Sequence, residues 1–415
     1  MTMAVSDGRR RYVLFVLTAI YMVNTMDRGI LAILAEPIRR DLAISDTQFG
    51  VLTGLAFALF YTTFGIPAGW LADRLGRTRV IAVGCALWSA CSAAGSLATS
   101  FATLALSRAG VGLGEAGGTA PSYSLISDLY ASERRGGALG VFHLGSSFAA
   151  LISASGGAWL AAMYGWRWAL GVISLPGVLF ALLLWLTVPE PRRAPSAPKG
   201  EPLGKIIAGF LSDPLLRATA LGSGLTAFST YAIAAWLPAM LMRSKQMTLG
   251  DLSLWYGLPS AVLVGLGVSS AGWLADRLAR RDARAYALVP MASTITLSVL
   301  IVLAALAPGW PLGLVAGLLA LGVSNMFLAP LITVIQNNSA PESRSLYSAL
   351  FLLINNLIGA GLGPLYVGMV SDAFAPRLGE GSIVAGFAAL APTALLAAYV
   401  QWRVSALIRT RSERR

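Results

Sequence analysis

Long apolar runs, broken by short charged stretches, dominate the chain. Uncharged runs occupy residues 12–26, 47–72, 80–107, 136–166, 168–189, 218–242, 252–275, 285–341, 345–371 and 381–402, and the first extends past Asp27 and Arg28 to about residue 35. A helix that crosses a bilayer needs about 20 apolar residues, and the runs supply this repeatedly. The 57-residue run 285–341 is long enough for two spans and is split by Pro308-Gly309-Trp310-Pro311, a turn signal. The run 80–107 holds one span and opens another, which carries Arg108 and Glu115 and continues to about residue 127. The pattern predicts an all-α membrane protein with twelve transmembrane helices. Residues 189–213, with Pro189, Pro191, Pro195, Pro198 and Pro202 among basic residues, read as a non-helical cytoplasmic linker. It would separate one six-helix bundle, residues 1–188, from a second, residues 214–415.

Composition agrees. The 415 residues are 56% hydrophobic and 12% charged, with a mean hydropathy of +0.70. A soluble domain carries about 25% charged residues, so this chain has too little polar surface to solvate a globule. Its 44 glycines suit close helix packing in lipid. The net charge of +12 does not point to nucleic acid, because it sits in short loops. With the N-terminus inside, 23 of the 31 Lys and Arg residues fall in cytoplasmic segments. Six fall in outer loops, at positions 39, 40, 167, 243, 245 and 377, and Arg28 and Arg108 lie within spans. That bias places both termini in the cytoplasm. The basic start, Met1 to Arg11, runs into a full-length span, so the first helix is expected to act as its own insertion signal. Cys85 and Cys91 form neither a disulfide framework nor a ligand cluster, and no metal or cofactor is expected.

A repeat organises the helices. Gly69-Trp70-Leu71-Ala72-Asp73-Arg74-Leu75-Gly76-Arg77 recurs as Gly272-Trp273-Leu274-Ala275-Asp276-Arg277-Leu278-Ala279-Arg280, with eight of nine positions identical at an offset of 203. Each copy follows the second helix of its half. Glu133-Arg134-Arg135 is echoed by Glu342-Ser343-Arg344 after each fourth helix. Two pseudo-symmetric bundles related by an axis along the membrane normal follow. The repeated stretch resembles the loop signature of the major facilitator superfamily, in both halves. Tyr21-Met22-Val23-Asn24-Thr25-Met26-Asp27-Arg28 is similar to the N-x-x-D-R segment of spinster-like transporters. Arg108-Ala109-Gly110-Val111-Gly112-Leu113-Gly114-Glu115-Ala116, with Ala120-Pro121 and Ser127-Asp128-Leu129 beyond it, resembles that family's helix 4. The resemblance implies a monomeric carrier of a small amphipathic, lysolipid-like solute, working by alternating access in contact with membrane lipid. The Ala/Gly/Arg-rich composition and short loops look bacterial, which makes the cell inner membrane the expected location.

The loop signature has a physical reading of its own. Asp73 is placed to cap the cytoplasmic end of helix 2 and to face the positive N-terminus of a neighbouring helix. Arg74, Arg77 and Arg79 can pair with acids at other helix ends, such as Asp128 and Glu133. Contacts that form in one conformation and break in the other shift a balanced equilibrium by about 1–2 kcal/mol. Gly69, Asp73, Arg74, Gly76, Arg77, Asp128, Glu133, Arg134, Asp276 and Arg277 are therefore the expected cytoplasmic gate; the alternative is that these charges only set topology.

Strongly ionisable residues deep in the spans are confined to Asp27, Arg28, Arg108 and Glu115, all in the first half. Each costs about 2.5–3.5 kcal/mol or more in lipid, so each should face the protein interior or water. Counting from the ends of helices 1 and 4 puts Asp27 and Arg108 both roughly 10 Å deep, with Glu115 about 10 Å deeper on the face of Arg108. Asp27–Arg108 and Arg28–Glu115 are the expected pairs, unless static ion pairs are all they make. Asp27 and, second to it, Glu115 are the proton-coupling candidates, with the proton gradient as energy source. Arg28, Arg108, Asn24 and Tyr21 are candidates for solute contact in the first half. In the second half Asn355, Asn356, Tyr231 and Trp236 are candidates, although asparagine in a span serves as often as helix–helix glue. His143, the one histidine, reads as structural. No H-E-x-x-H, G-x-S-x-G or paired acidic metal motif is present, which argues against an enzyme. A duplicated monomer with gate charges argues against a channel. A multidrug or organic-anion exporter and a proton-independent facilitator are the alternatives of the same fold; Gly156-Gly157 in helix 5 has no following Pro, so an antiporter signature is missing.

Overall fold

The computed structural model describes the backbone of residues 6–190, 203–340 and 343–413, and all side chains there except those of Ile66, Asp73, Ser132, Glu133, Leu203, Ile206, Ser345 and Ser412. The connector is not non-helical throughout as expected, since the run Leu203–Ser212 forms an α-helix. Residues 191–202 of the expected linker, and Glu342 of the second echo, lie outside the described residues. No strand occurs among those described.

With shorter helices at Ala35–Leu42, Leu203–Ser212 and Leu249–Trp255 between them, twelve helical rods make up most of the described chain. They are α1 (Asp7–Ile33), α2 (Asp46–Gly50, Val51–Leu55 and Ala56–Leu75), α3 (Arg77–Gly95), α4 (Phe101–Glu115 and Thr119–Leu129), α5 (Ser132–Leu151, Ile152–Gly156 and Gly157–Tyr164) and α6 (Trp166–Ser174 and Pro176–Thr187). The second series is α7 (Pro214–Lys245), α8 (Gly257–Ala279), α9 (Ala285–Leu306), α10 (Trp310–Ser324 and Leu328–Asn337), α11 (Arg344–Asn356, Leu357–Leu362 and Gly363–Leu378) and α12 (Ser382–Ala388 and Leu390–Glu413). By length and composition alone, ten segments qualify as spans. One of these, Leu346–Arg411, is 66 residues long, about 100 Å at 1.5 Å per residue, and holds both α11 and α12. The other shortfall is α4, broken into pieces of 15 and 11 residues. Sequence reading expected a continuous fourth helix; the run Ala116-Gly117-Gly118 interrupts it directly after Glu115.

The helices gather into two compact units. One comprises residues 1–44, 56–195 and 248–261; the other comprises 45–55, 196–247 and 262–415. Thus α2 and α8 each contribute to both. Many apolar side chains face outward: Leu186 on α6 is 70% exposed and Leu306 on α9 is 74% exposed. Exposure on this scale is what a lipid-facing surface requires. Three rods carry a wide π-helical turn, at Val51–Leu55, Ile152–Gly156 and Leu357–Leu362. Such turns cluster at functional positions in helices.

The glycines of Arg108-Ala109-Gly110-Val111-Gly112-Leu113-Gly114-Glu115 acquire a reason here. A Cβ on Gly114 would lie 2.7 Å from the backbone nitrogen of Trp88, and one on Gly84 would lie 2.7 Å from the carbonyl oxygen of Gly114. A Cβ on Gly112 would lie 2.8 Å from the carbonyl oxygen of Phe57 on α2. The backbone of α4 is therefore pressed against α3 on one side and α2 on another, the close approach that small residues permit. Glu115 follows directly and is carried into the interior of the first unit. Gly140 on α5, by contrast, has open space at its Cβ position. Gly114→Ala should lower the thermal unfolding temperature in detergent by several degrees, because backbone atoms must move. Gly140→Ala should leave it unchanged or raise it slightly.

Candidate functional site

Inside the first unit, α1 and α4 bring four charges together. Asp27, Arg108 and Glu115 are buried to 1–2% exposure. Nη1 of Arg108 donates to Oδ2 of Asp27 at 2.7 Å. The other Asp27 oxygen accepts from Ser92 of α3, and Ser174 of α6 stands 3.4 Å from it and 2.8 Å from the Ser92 hydroxyl. Two turns further along α4, Nε of Arg28 donates to Oε2 of Glu115 at 2.7 Å, and Nη2 contacts the same oxygen. Oε1 of Glu115 is buried with no hydrogen-bond partner, as is Nε of Arg108. The Arg28 side chain is 36% exposed and lies over the rings of Phe57 and Tyr61, 4.6 and 5.3 Å from their centroids, a cation–π arrangement.

The two carboxylates are thus unequal. Both oxygens of Asp27 receive donors, one of them a guanidinium. Glu115 has a single cationic partner on one oxygen and an idle second oxygen. A proton on that idle oxygen would cost no existing bond and would remove the attraction that holds Arg28.

At the end of this unit that holds Gly76, the repeated motif makes a second charge cluster. Gly76 takes φ +101°, a conformation that favours glycine, and turns the chain from α2 into α3. The backbone N–H groups of Arg77 and Thr78, at the start of α3, donate to the two oxygens of Glu190 at 2.9 and 2.8 Å. Arg77 also pairs with Asp128 at 2.5 Å and donates to Ser124 at 2.7 Å. Glu190, which sequence reading did not single out, therefore caps the helix N-terminus that Asp73 was expected to face; the side chains of Asp73 and Glu133 lie outside those described. Arg74 stacks on Trp70 at 4.0 Å. In the second unit Arg277 lies over Trp273 at 5.3 Å, and Asp276 accepts from Tyr286 at 2.8 Å. In both copies the motif's arginine lies over the motif's own tryptophan. Gly69 has open space at its Cβ position, and Arg134 is exposed.

The family model for the major facilitator superfamily matches residues 17–364. The chain belongs to the major facilitator superfamily. A major facilitator efflux pump of Mycolicibacterium smegmatis is 33% identical over 399 residues, covering 95% of this chain and 92% of that one. Human protein spinster homolog 1 is 28% identical over 423 residues, covering 95% of this chain and 79% of that one. Among solved structures, a bacterial homologue of the human lysosomal transporter Spinster, inward-facing and occupied, gives a TM-score of 0.82 at 29% identity over 99% of this chain and 98% of that one. The chain is therefore a spinster-like transporter of this superfamily, not an enzyme.

Within the transporter, the remaining candidates separate by burial. Tyr21 stacks on Phe142 with centroids 4.5 Å apart, and Asn24 is buried at 5% exposure. His143 contacts the Tyr123 hydroxyl at 3.2 Å. In the second unit Asn356 is half-buried and accepts from Tyr231 at 3.4 Å, whereas Asn355 is buried and accepts from Ser223 at 3.0 Å. Trp236 leaves the set of solute contacts: it is fully buried, its indole N–H donates to the Pro364 carbonyl at 2.8 Å, and it meets Phe49 edge-on. Its bulk and its one donor are both used in packing.

A third buried cluster, in the second unit, was not singled out from sequence. Arg243 was counted with the outer loops, yet it lies in the last turn of α7 and is 7% exposed. It grips Asp46 with both terminal nitrogens at 2.7 and 2.8 Å. Ser371 donates to Asp46 at 2.6 Å, and Asp372 accepts from the backbone N–H groups of Asp46 and Thr47 at 3.0 and 2.8 Å. The signal available was weak: one acid at a helix start and one arginine at a helix end, 197 residues apart.

Breaking a buried pair by removing one partner costs about 3–5 kcal/mol, because the other charge is left uncompensated. Arg108→Gln should therefore destabilise the protein strongly in a detergent unfolding assay. The double variant Asp27→Asn with Arg108→Gln should recover most of the loss, which equal and additive losses would contradict.

Proposed function

We propose that this transporter is a proton-coupled carrier of amphipathic anions, working by alternating access in the cell inner membrane with both termini in the cytoplasm, as a monomer. The observation that carries the reading is the idle, buried Oε1 of Glu115 beside the ion pair with Arg28. In this reading Glu115 is the residue that takes up the proton, and Asp27, saturated by Arg108, Ser92 and the nearby Ser174, holds α1 and α4 in register. This reverses the order of the two acids expected from sequence.

Protonating Glu115 neutralises its side and releases the Arg28 guanidinium. An anionic headgroup then competes for Arg28 while its apolar tail lies against the half-buried Tyr61 beside it. Binding energy for the solute and proton occupancy become linked through one arginine, which is the reciprocal coupling a carrier needs. Arg77, Asp128 and Glu190 form the gate in the conformation described, and the switch must break part of that cluster. Export is the direction favoured, since a relative 33% identical over nearly its whole length is an efflux pump. The proton gradient serves as the energy source, with no bound cofactor.

Reconstituted liposomes test this directly. Uptake of a fluorescent lysophospholipid should be stimulated by a pH step in the wild type. Glu115→Gln should lose that stimulation by at least tenfold while retaining solute counterflow. Stimulation retained in full by Glu115→Gln would refute its role, and wild-type transport indifferent to the pH step would make the protein a facilitator.

A further inference from the structure

A cavity of about 250 Å³ lies at the N-terminal end of α1, against the start of α5, far along both helices from the buried charge pairs. Arg10, Arg11 and Arg134 line it, together with Tyr130 and Gly137. One carboxylate, Asp7, is also present and is paired with Arg10 at 2.8 Å. Among the described residues the lining therefore carries three guanidiniums against one acid, a net positive site. Its floor is apolar: Leu14 and Ala138 are buried, and Val141 continues it along α5. Beyond Val141 the same face of α5 presents Leu144 and Phe148, and the three are 44%, 53% and 56% exposed. Spacings of three and seven residues put them in one stripe. Gly137 keeps the floor open, since a Cβ built there meets nothing within 4 Å.

We infer that this groove is a binding site for an anionic phospholipid, with the headgroup phosphate between Arg11 and Arg134 and an acyl chain along Val141, Leu144 and Phe148. The phosphate accepts from planar guanidiniums in the manner arginine favours. Tyr130 adds to the lining an aromatic ring of the kind enriched where a membrane meets water. The apolar stripe distinguishes a lipid from a soluble anion, because only a lipid uses both parts. Arg134, expected from sequence as a gate residue, becomes a lipid contact, so a bound lipid ties the start of α5 to α1. This inference stands apart from the proton-coupling proposal and uses none of its residues.

Native mass spectrometry of the full chain in detergent, with equal amounts of phosphatidylglycerol and phosphatidylcholine, is the test. Wild type should retain phosphatidylglycerol on the order of tenfold more strongly. Arg11→Gln and Arg134→Gln should each lower that retention about fivefold, corresponding to about 1 kcal/mol per basic residue near a lipid surface. Gly137→Leu should block retention while leaving every charge in place, and the open space at that position keeps the variant foldable. Inorganic phosphate should not displace the lipid. Equal retention of the two lipids, retention unchanged in all three variants, or displacement by inorganic phosphate would each overturn the assignment.

Discussion

A charge placed in hydrocarbon costs several kcal/mol unless another charge and a full set of hydrogen bonds meet it there. That constraint organises the first unit of this transporter. Asp27 and Arg108, on different helices, can be buried only if α1 and α4 stand at matched depth, and the 2.7 Å contact between them shows that they do. Matched depth in turn demands that α4 lie close to its neighbours. Glycines at 84, 112 and 114 remove the side chains that would hold the helices apart. The same crossing carries Glu115 to within reach of Arg28. The break at residues 116–118 follows immediately, so the helix ends its first stretch at the residue whose position matters most.

Burial and function then part company at the two acids. Asp27 receives donors on both of its oxygens. Glu115 is equally buried but incompletely bonded, and its partner Arg28 is the member of the quartet that reaches exposed surface. Of the two carboxylates, one is bonded at both oxygens and the other at one. In the second unit Asp46 is held by Arg243 and Ser371 with both oxygens engaged. The second unit also offers half-buried polar groups such as Tyr231 and Asn356.

Much of this was legible in the sequence because lipid imposes a simple rule. Apolar runs give the helices, and a charge inside such a run must have a partner, so Asp27, Arg28, Arg108 and Glu115 announce themselves. Counting at 1.5 Å per residue even sorts them into the right pairs. What the sequence hides is satisfaction. Ser92 and Ser174 are ordinary serines in apolar runs, and nothing in their spacing shows that they converge on Asp27. Glu190 sits where a linker was expected, and its role as a cap for α3 depends on a chain reversal at Gly76 rather than on a motif. Arg243 looked like a topology signal because it stands at a span end, and burial by residues nearly 200 positions away cannot be read from local pattern. Trp236 misled in the other direction: an aromatic residue in a span has the same appearance whether it meets a solute or a carbonyl of its own fold.

The central claim is that Glu115 is the group that gains a proton and lets Arg28 go. Infrared difference spectroscopy of the protein in lipid, recorded across an acidification step, reports this without any solute or transport assay. The account predicts that a band from a protonated carboxylic acid grows on acidification in the wild type and is missing in Glu115→Gln, with Asp27 contributing none. A band that persists in Glu115→Gln and vanishes in Asp27→Asn would contradict it.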